Sequence, residues 1–249
     1  MLEAVEMPIA RSLRSEAVDA GTLTPQMRRT MYALFERFYV ESSFERFERD
    51  LTGKDTVFLI TDEHGELCGF STLVAFEMEV DGAPLRVVFS GDTIIEPSHW
   101  GSQAFAFSWI RHIGKIFGEA PRVPLFWLLI VKGHRTYRYL PAFGLNFVPD
   151  WREAGDTRLC KLKDAIARSL FGAAYDAPSG VVHFEHSLGH LAPELAAITP
   201  REATRADVRF FLENNPGYVR GDELVCLCEL HPENMRPLTR RLFYQGLSA

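Results

Sequence analysis

The chain has 249 residues, 47% of them hydrophobic and 24% charged. That suffices to bury a core without disulfide staples and excludes disorder, collagen-like repeats and coiled coil as the main architecture. With 27 Lys+Arg against 33 Asp+Glu the formal net charge is -6, which argues against a protein that holds nucleic acid by neutralising phosphates. The longest apolar run, Leu125–Val131, falls far short of the roughly 20 residues that span a bilayer. No apolar leader stands at 1–21, and the four cysteines, Cys68, Cys160, Cys226 and Cys228, are dispersed. A cytoplasmic, reduced protein without a membrane partner is expected.

In chain order, a loose arm leads to Thr24-Pro25, an N-cap followed by proline at the first helical position, after which Met27, Met31, Leu34 and Phe38 mark an amphipathic helix. A second helix starts near Ser43 and carries Phe44, Phe47 and Leu51 on one stripe. Three strands follow, 56–61, 66–80 and 85–96, with turns at 62–65 and at Asp81-Gly82, so an antiparallel meander is expected. Pro97 ends the third strand, and a helix beginning near Gly101 places Ala106, Ile110, Ile113 and Phe117 on one face. The apolar run 123–131 reads as a strand covered on both faces, joined to 85–96 by a parallel crossover. Helix 135–143 and a strand after Gly144 come next. The signal then weakens: helix 160–174, an extended stretch 179–184, a helix from Thr199-Pro200 to Asn214, a strand at 223–230 and a helix at 232–242.

One segment carries chemistry of its own. Thr93-Ile-Ile-Glu-Pro-Ser-His-Trp-Gly-Ser-Gln-Ala104 runs from strand through proline to a helix start, where unpaired amides and the helix dipole favour an anion and glycine lets a phosphate approach. Gly91 inside the preceding strand marks a bulge. Its neighbour Asp92 shares a strand face with Glu96, and a carboxylate there can accept the proton that an attacking ammonium must lose.

This segment and the order of elements around it resemble the GNAT superfamily of acyl-CoA-dependent N-acyltransferases over residues 24–150. The resemblance implies an α/β (α+β) fold with a mixed, mostly antiparallel sheet flanked by helices. Residues 1–160 would form the acyltransferase core and 161–249 an extension packed on it, with 223–230 as the candidate for a strand returned to the sheet. It further implies that strands 85–96 and 123–131 splay apart to take the pantetheine arm of acetyl-CoA or another acyl-CoA. Ile94, Ile95, Trp100, Gly101, Ser102, Gln103, Ala104 and Tyr137 would bind that donor. Asp92 is the candidate base, with Glu96 beside it, and the acceptor is an amine of a small molecule or peptide.

Lys132-Gly-His-Arg-Thr-Tyr-Arg-Tyr-Leu-Pro-Ala-Phe-Gly144 resembles the family's helix with a Y-x-x-x-G-F ending, whose tyrosine protonates the leaving thiolate; Tyr139 is the preferred acid and Tyr137 the other candidate. Gln103 and Phe105 stand where the family pattern has glycine and glycine or alanine. Three readings follow: a coenzyme A donor in altered geometry, a long acyl chain on acyl carrier protein, or a non-catalytic binding protein on the same fold.

No metal is expected. His183, His186 and His190 would share one face of a helix and so offer zinc ligands, but 180–184 reads as extended and Gly189 opposes a helix. Cys226 and Cys228 alternate with Val225 and Leu227 as small core thiols.

Overall fold

The computed structural model describes residues 13–152, 155–184 and 189–248. β1 (Arg14–Asp19) precedes α1 (Pro25–Phe35), β2 (Tyr39–Val40) and α2 (Phe44–Leu51). Thr24 and Ser43 cap the two helices, their hydroxyls accepting the amides of Met27 and Arg46. β3 (Thr56–Thr61), β4 (Leu67–Val80) and β5 (Ala83–Ile95) form the expected meander. Asp81 and Gly82 turn its second hairpin with positive φ. After a short turn at Pro97–His99 come α3 (Ala104–Glu119), β6 (Leu125–Val131), α4 (His134–Tyr137), α5 (Tyr139–Phe143) and β7 (Phe147–Val148). The remainder comprises α6 (Thr157–Phe171), β8 (Tyr175–Asp176), β9 (Val181–Val182), β10 (His190–Leu191), α7 (Pro193–Ala196), α8 (Pro200–Ala203), α9 (Ala206–Asn214), β11 (Glu223–Glu229) and α10 (Pro237–Leu247).

The main sheet runs β1-β3-β4-β5-β6-β11-β9-β8, with β7 also on β11, and β10 pairs β2 separately. β5 and β6 are parallel while the other pairs are antiparallel, so the sheet is mixed and mostly antiparallel, as expected. Strand alternation sets the two faces. Phe58, Trp127, Leu129 and Cys226 pack under α3 and α10. On the opposite face Phe126, Leu128 and Val225 meet α6, and Val57, Phe70 and Ile94 meet α1 and α2. No helix among the described residues is long and apolar enough to cross a membrane.

Two expectations need correction. The arm expected to be loose before Thr24 contributes β1, which pairs with β3 along its whole length. Charged residues on a partly exposed edge strand leave little apolar alternation to read. The helix expected from Thr199 to Asn214 is broken: a capping box between Thr199 and Glu202 starts α8, Arg205 turns extended, and its guanidinium grips Asp207 at 2.7 and 3.0 Å as α9 begins.

Arg86 is a charged residue buried in β5 under the end of α3. Its guanidinium donates to the carbonyls of Ile116, Phe117 and Ala120 at 2.7, 3.2 and 2.8 Å, at the terminus of that helix. Arg86→Met, which keeps the apolar stem and removes the donors, is expected to cost about 2 kcal/mol, read as a lowered midpoint in urea unfolding with unchanged slope.

Candidate active site

β5 and β6 stay paired from Arg86↔Leu125 to Ser90↔Leu129, and there the ladder ends. The cause lies across β5, where the register with β4 jumps from Leu73↔Ser90 to Ser71↔Thr93, so that Gly91 and Asp92 together face Thr72. The extra residue is a β-bulge, which bends its strand. A Cβ at position 91 would stand 2.3 Å from the Thr72 hydroxyl oxygen, so any larger residue there must displace that side chain. Below the fork, Trp127 Nε1 donates to Ser90 Oγ at 2.9 Å; above it, the hydroxyls of Ser71 and Thr93 bond at 2.8 Å. Between the diverging strands opens a cavity of about 1030 Å³, lined by Gly91, Asp92 and Ile95 on one side and Ile130 and Lys132 on the other, and reaching Gly101 and Ser102.

The loop at that end presents backbone. Gly101 has φ +96°, a conformation that costs other residues roughly 1 kcal/mol or more, and a Cβ there would meet nothing. The Ala104 amide donates to Ser102 Oγ at 3.3 Å and the Phe107 amide to the Gln103 carbonyl at 2.9 Å. The amides of Phe105 and Ala106 have no intrahelical partner. Neither side chain that departs from the family pattern seals the gap: Gln103 is exposed at the cap, and Phe105 turns into the core, edge-on to Phe58 with ring centres 5.6 Å apart. Trp100 and Arg135 meet at the cavity lining instead. The Trp100 indole donates to the Ile95 carbonyl at 2.7 Å, and the Arg135 guanidinium lies 4.6 Å from the ring centre while bonding Leu195 O and Glu202 Oε1. Glu202 also holds His134 at 3.1 Å.

Ionic side chains also line the cavity. Lys132 Nζ sits 3.4 Å from Glu223 Oε1 and 5.3 Å from the Tyr39 ring centre, while Lys54 bonds Asp50 at 3.0 Å. Burial pushes the Asp92 carboxyl above its ordinary range and Asp50 adds to this, against the pull of Lys132 and Lys54. Burial alone would lower Lys132, but Glu223 and Asp92 hold its ammonium above the usual value. Tyr39 is raised by burial and then by Asp92 and Glu223, and burial also raises Tyr139.

Of the residues expected at the site, Asp92, Ile95, Trp100, Gly101, Ser102 and Tyr139 line the cavity. Five lie off it. Tyr137 is fully buried and donates its phenol to the Pro149 carbonyl at 2.7 Å, a core role. Glu96 points away from Asp92's cavity, its carboxylate 2.7 Å from Arg37. Ile94, facing the opposite way from its neighbours by strand alternation, packs under α1 and α2. Gln103 and Ala104 open α3 beside the cavity without lining it.

Of the three histidines, His183 pairs with Asp222 at 3.1 Å and His190 with Glu41 at 3.7 Å, while His186 lies outside the described residues. A different group, Cys68, Glu96 and His99, brings three ligand-type atoms within 4.8 Å of one another, though Glu96 there is already engaged by Arg37. Cys226 and Cys228 are buried in the core, and burial pushes the Cys228 thiol up to about 12.

Sequence reasoning missed Lys132, Glu223, Lys54 and Tyr39. A signal existed for two of them. Lys132 follows the apolar β6 and Glu223 opens the apolar β11, and antiparallel pairing of Leu224 with Val131 sets these opposite charges side by side.

No protein-family model matches the chain, and no curated protein matches it. Solved structures do. A protein of unknown function from Enterococcus faecalis, described as a probable N-acyltransferase, aligns at 14% identity over 55% of this chain and 33% of its own, with a TM-score of 0.41. The GNAT family N-acetyltransferase YhbS from Escherichia coli, solved with CoA, aligns at 16% identity over 54% and 71%, with a TM-score of 0.36. A GNAT family acetyltransferase from Brucella melitensis, solved with acetyl-CoA, aligns at 13% identity over 52% and 82%, with a TM-score of 0.35.

Proposed function

We propose that the protein is an N-acyltransferase that moves an acyl group from a pantetheine thioester, as in acetyl-CoA or another acyl-CoA, to an amine. The observation that carries this reading is the fork between β5 and β6: their ladder stops at Ser90↔Leu129, and the cavity so formed reaches the glycine loop at the head of α3. Beyond the bulge, β5 no longer pairs with β6, so its backbone can bond an extended donor arm as it would another strand. Gly101, with the free first-turn amides of α3, is suited to the donor's pyrophosphate.

Asp92 reaches the same cavity and takes the proton from the incoming ammonium, since the free amine is the nucleophile. The amine attacks the thioester carbonyl, the carbon–sulfur bond breaks, and Tyr139, whose phenol burial keeps protonated, gives its proton to the departing thiolate. Holding donor and acceptor together in one enclosed space supplies much of the acceleration.

Thermal shift with acetyl-CoA, a long-chain acyl-CoA and an acylated carrier protein tests the reading. A rise in Tm with one of them identifies the donor, and none with any leaves a binding protein on this fold. Gly101→Ala is expected to lower Tm by roughly 2–4 °C through strain at positive φ. It is also expected to weaken the donor about 10-fold, because the new methyl group stands where the phosphate approaches the backbone. Unaltered donor affinity in that variant would place the phosphate elsewhere.

A further inference from the structure

We propose, on the basis of the acyltransferase reading, that the acceptor is a hydrophobic primary amine without a carboxylate, its ammonium facing Asp92 and Glu223 and its apolar body against Phe35, Phe38, Phe47 and Phe89. All six residues line the one cavity. The argument begins with charge. Asp50 and Lys54 close on each other at 3.0 Å, leaving Lys132 to serve both Glu223, at 3.4 Å, and Asp92. Around Asp92 and Glu223, two ammonium groups therefore meet three carboxylates. An uncompensated negative charge in a buried place is costly, and the upward push on Asp92 is that cost expressed as proton affinity. A ligand ammonium supplies the missing positive charge; a ligand carboxylate adds a fourth negative group.

Three further ionic groups of the cavity are already engaged by other carboxylates. Arg135 is held by Glu202 at 3.1 Å, Arg138 stands 3.6 Å from Asp207, and His134 bonds Glu202. Arg46 and Arg49 line the α2 side and are not among the charges that shift Asp92. The walls decide the rest of the ligand. Phe35 of α1, Phe38 just beyond it and Phe47 of α2 are buried, with Phe35 and Phe47 packed ring to ring at 5.3 Å, and Lys54 lies 5.6 Å over Phe89. About 1030 Å³ is at the upper end for a small-molecule site and leaves space for an apolar body beside the donor arm.

The test is binding without any acyl donor, so it does not depend on turnover. Phenethylamine, phenylalanine, 3-phenylpropionate and 2-phenylethanol share one ring and differ in charge; their affinities are measured by calorimetry on the full chain. Phenethylamine is expected to bind at least 10-fold more tightly than the other three, and Asp92→Asn, nearly isosteric, to erase that margin. Glu223→Gln should reduce it as well, and near-ultraviolet circular dichroism verifies that both variants fold. Equal or tighter binding of phenylalanine or 3-phenylpropionate overturns the proposal, as does absence of binding by the amine. Acetyl-CoA binding is read on the same samples. A donor that binds without amine preference overturns the acceptor class alone, and amine preference without donor binding overturns the acyltransferase reading alone.

Discussion

Asp92→Asn is expected to lower kcat/KM for acyl transfer by about 10²- to 10³-fold, the range in which loss of a positioned proton acceptor falls. The same substitution should change the pH profile. The carboxylate, not the carboxylic acid, accepts the proton, so the rate rises with pH as Asp92 ionises. Because burial pushes that ionisation above the ordinary carboxylate range, the limb attributable to Asp92 lies at higher pH than an exposed aspartate would give. The amine's own ionisation adds a limb of its own, which the asparagine variant retains. Subtracting one profile from the other isolates Asp92, and identical profiles would remove it as the base.

The second large effect concerns stability. α3 and α10 touch through glycine: a Cβ at Gly246 would stand 1.8 Å from the Arg111 carbonyl oxygen, and one at Gly114 would stand 2.2 Å from that of Phe243. Both obstacles are backbone, which cannot rotate aside. Gly246→Val must therefore move the helices apart and loosen Phe117 against Phe243, whose rings pack at 5.2 Å. A cost of about 3 kcal/mol is expected, a fall in Tm of roughly 6–12 °C for a chain this long. A Tm within about 2 °C of the parent would show that the helices do not cross at these residues.

The parts of the fold that were legible are those where local chemistry and burial agree. Thr24-Pro25, Ser43, Asp81-Gly82 and the apolar 125–131 each specify an element without help from distant residues, and each stands where expected. Gly91 was readable for the same reason, since a glycine inside a strand announces a local irregularity. What escaped depends on contacts far apart in the chain. β1 is an edge strand that β3 makes regular. Tyr137 and Tyr139 are two residues apart on consecutive short helices, and packing alone sends the first to Pro149 and the second to the cavity. Lys132 and Glu223 are 91 positions apart, and nothing local to either shows that β11 will lie beside β6.

That placement of β11 also bears on how the molecule is made. Leu125–Val131, among the most apolar segments of the chain, has β5 on one edge and on the other a strand translated almost a hundred residues later. A nascent polypeptide that has passed Val131 but not Glu229 thus carries a raw hydrophobic edge, the sort of surface that recruits chaperones or a second unfinished copy. Covering that edge waits for β11 to be translated, a non-local pairing of the kind that slows folding.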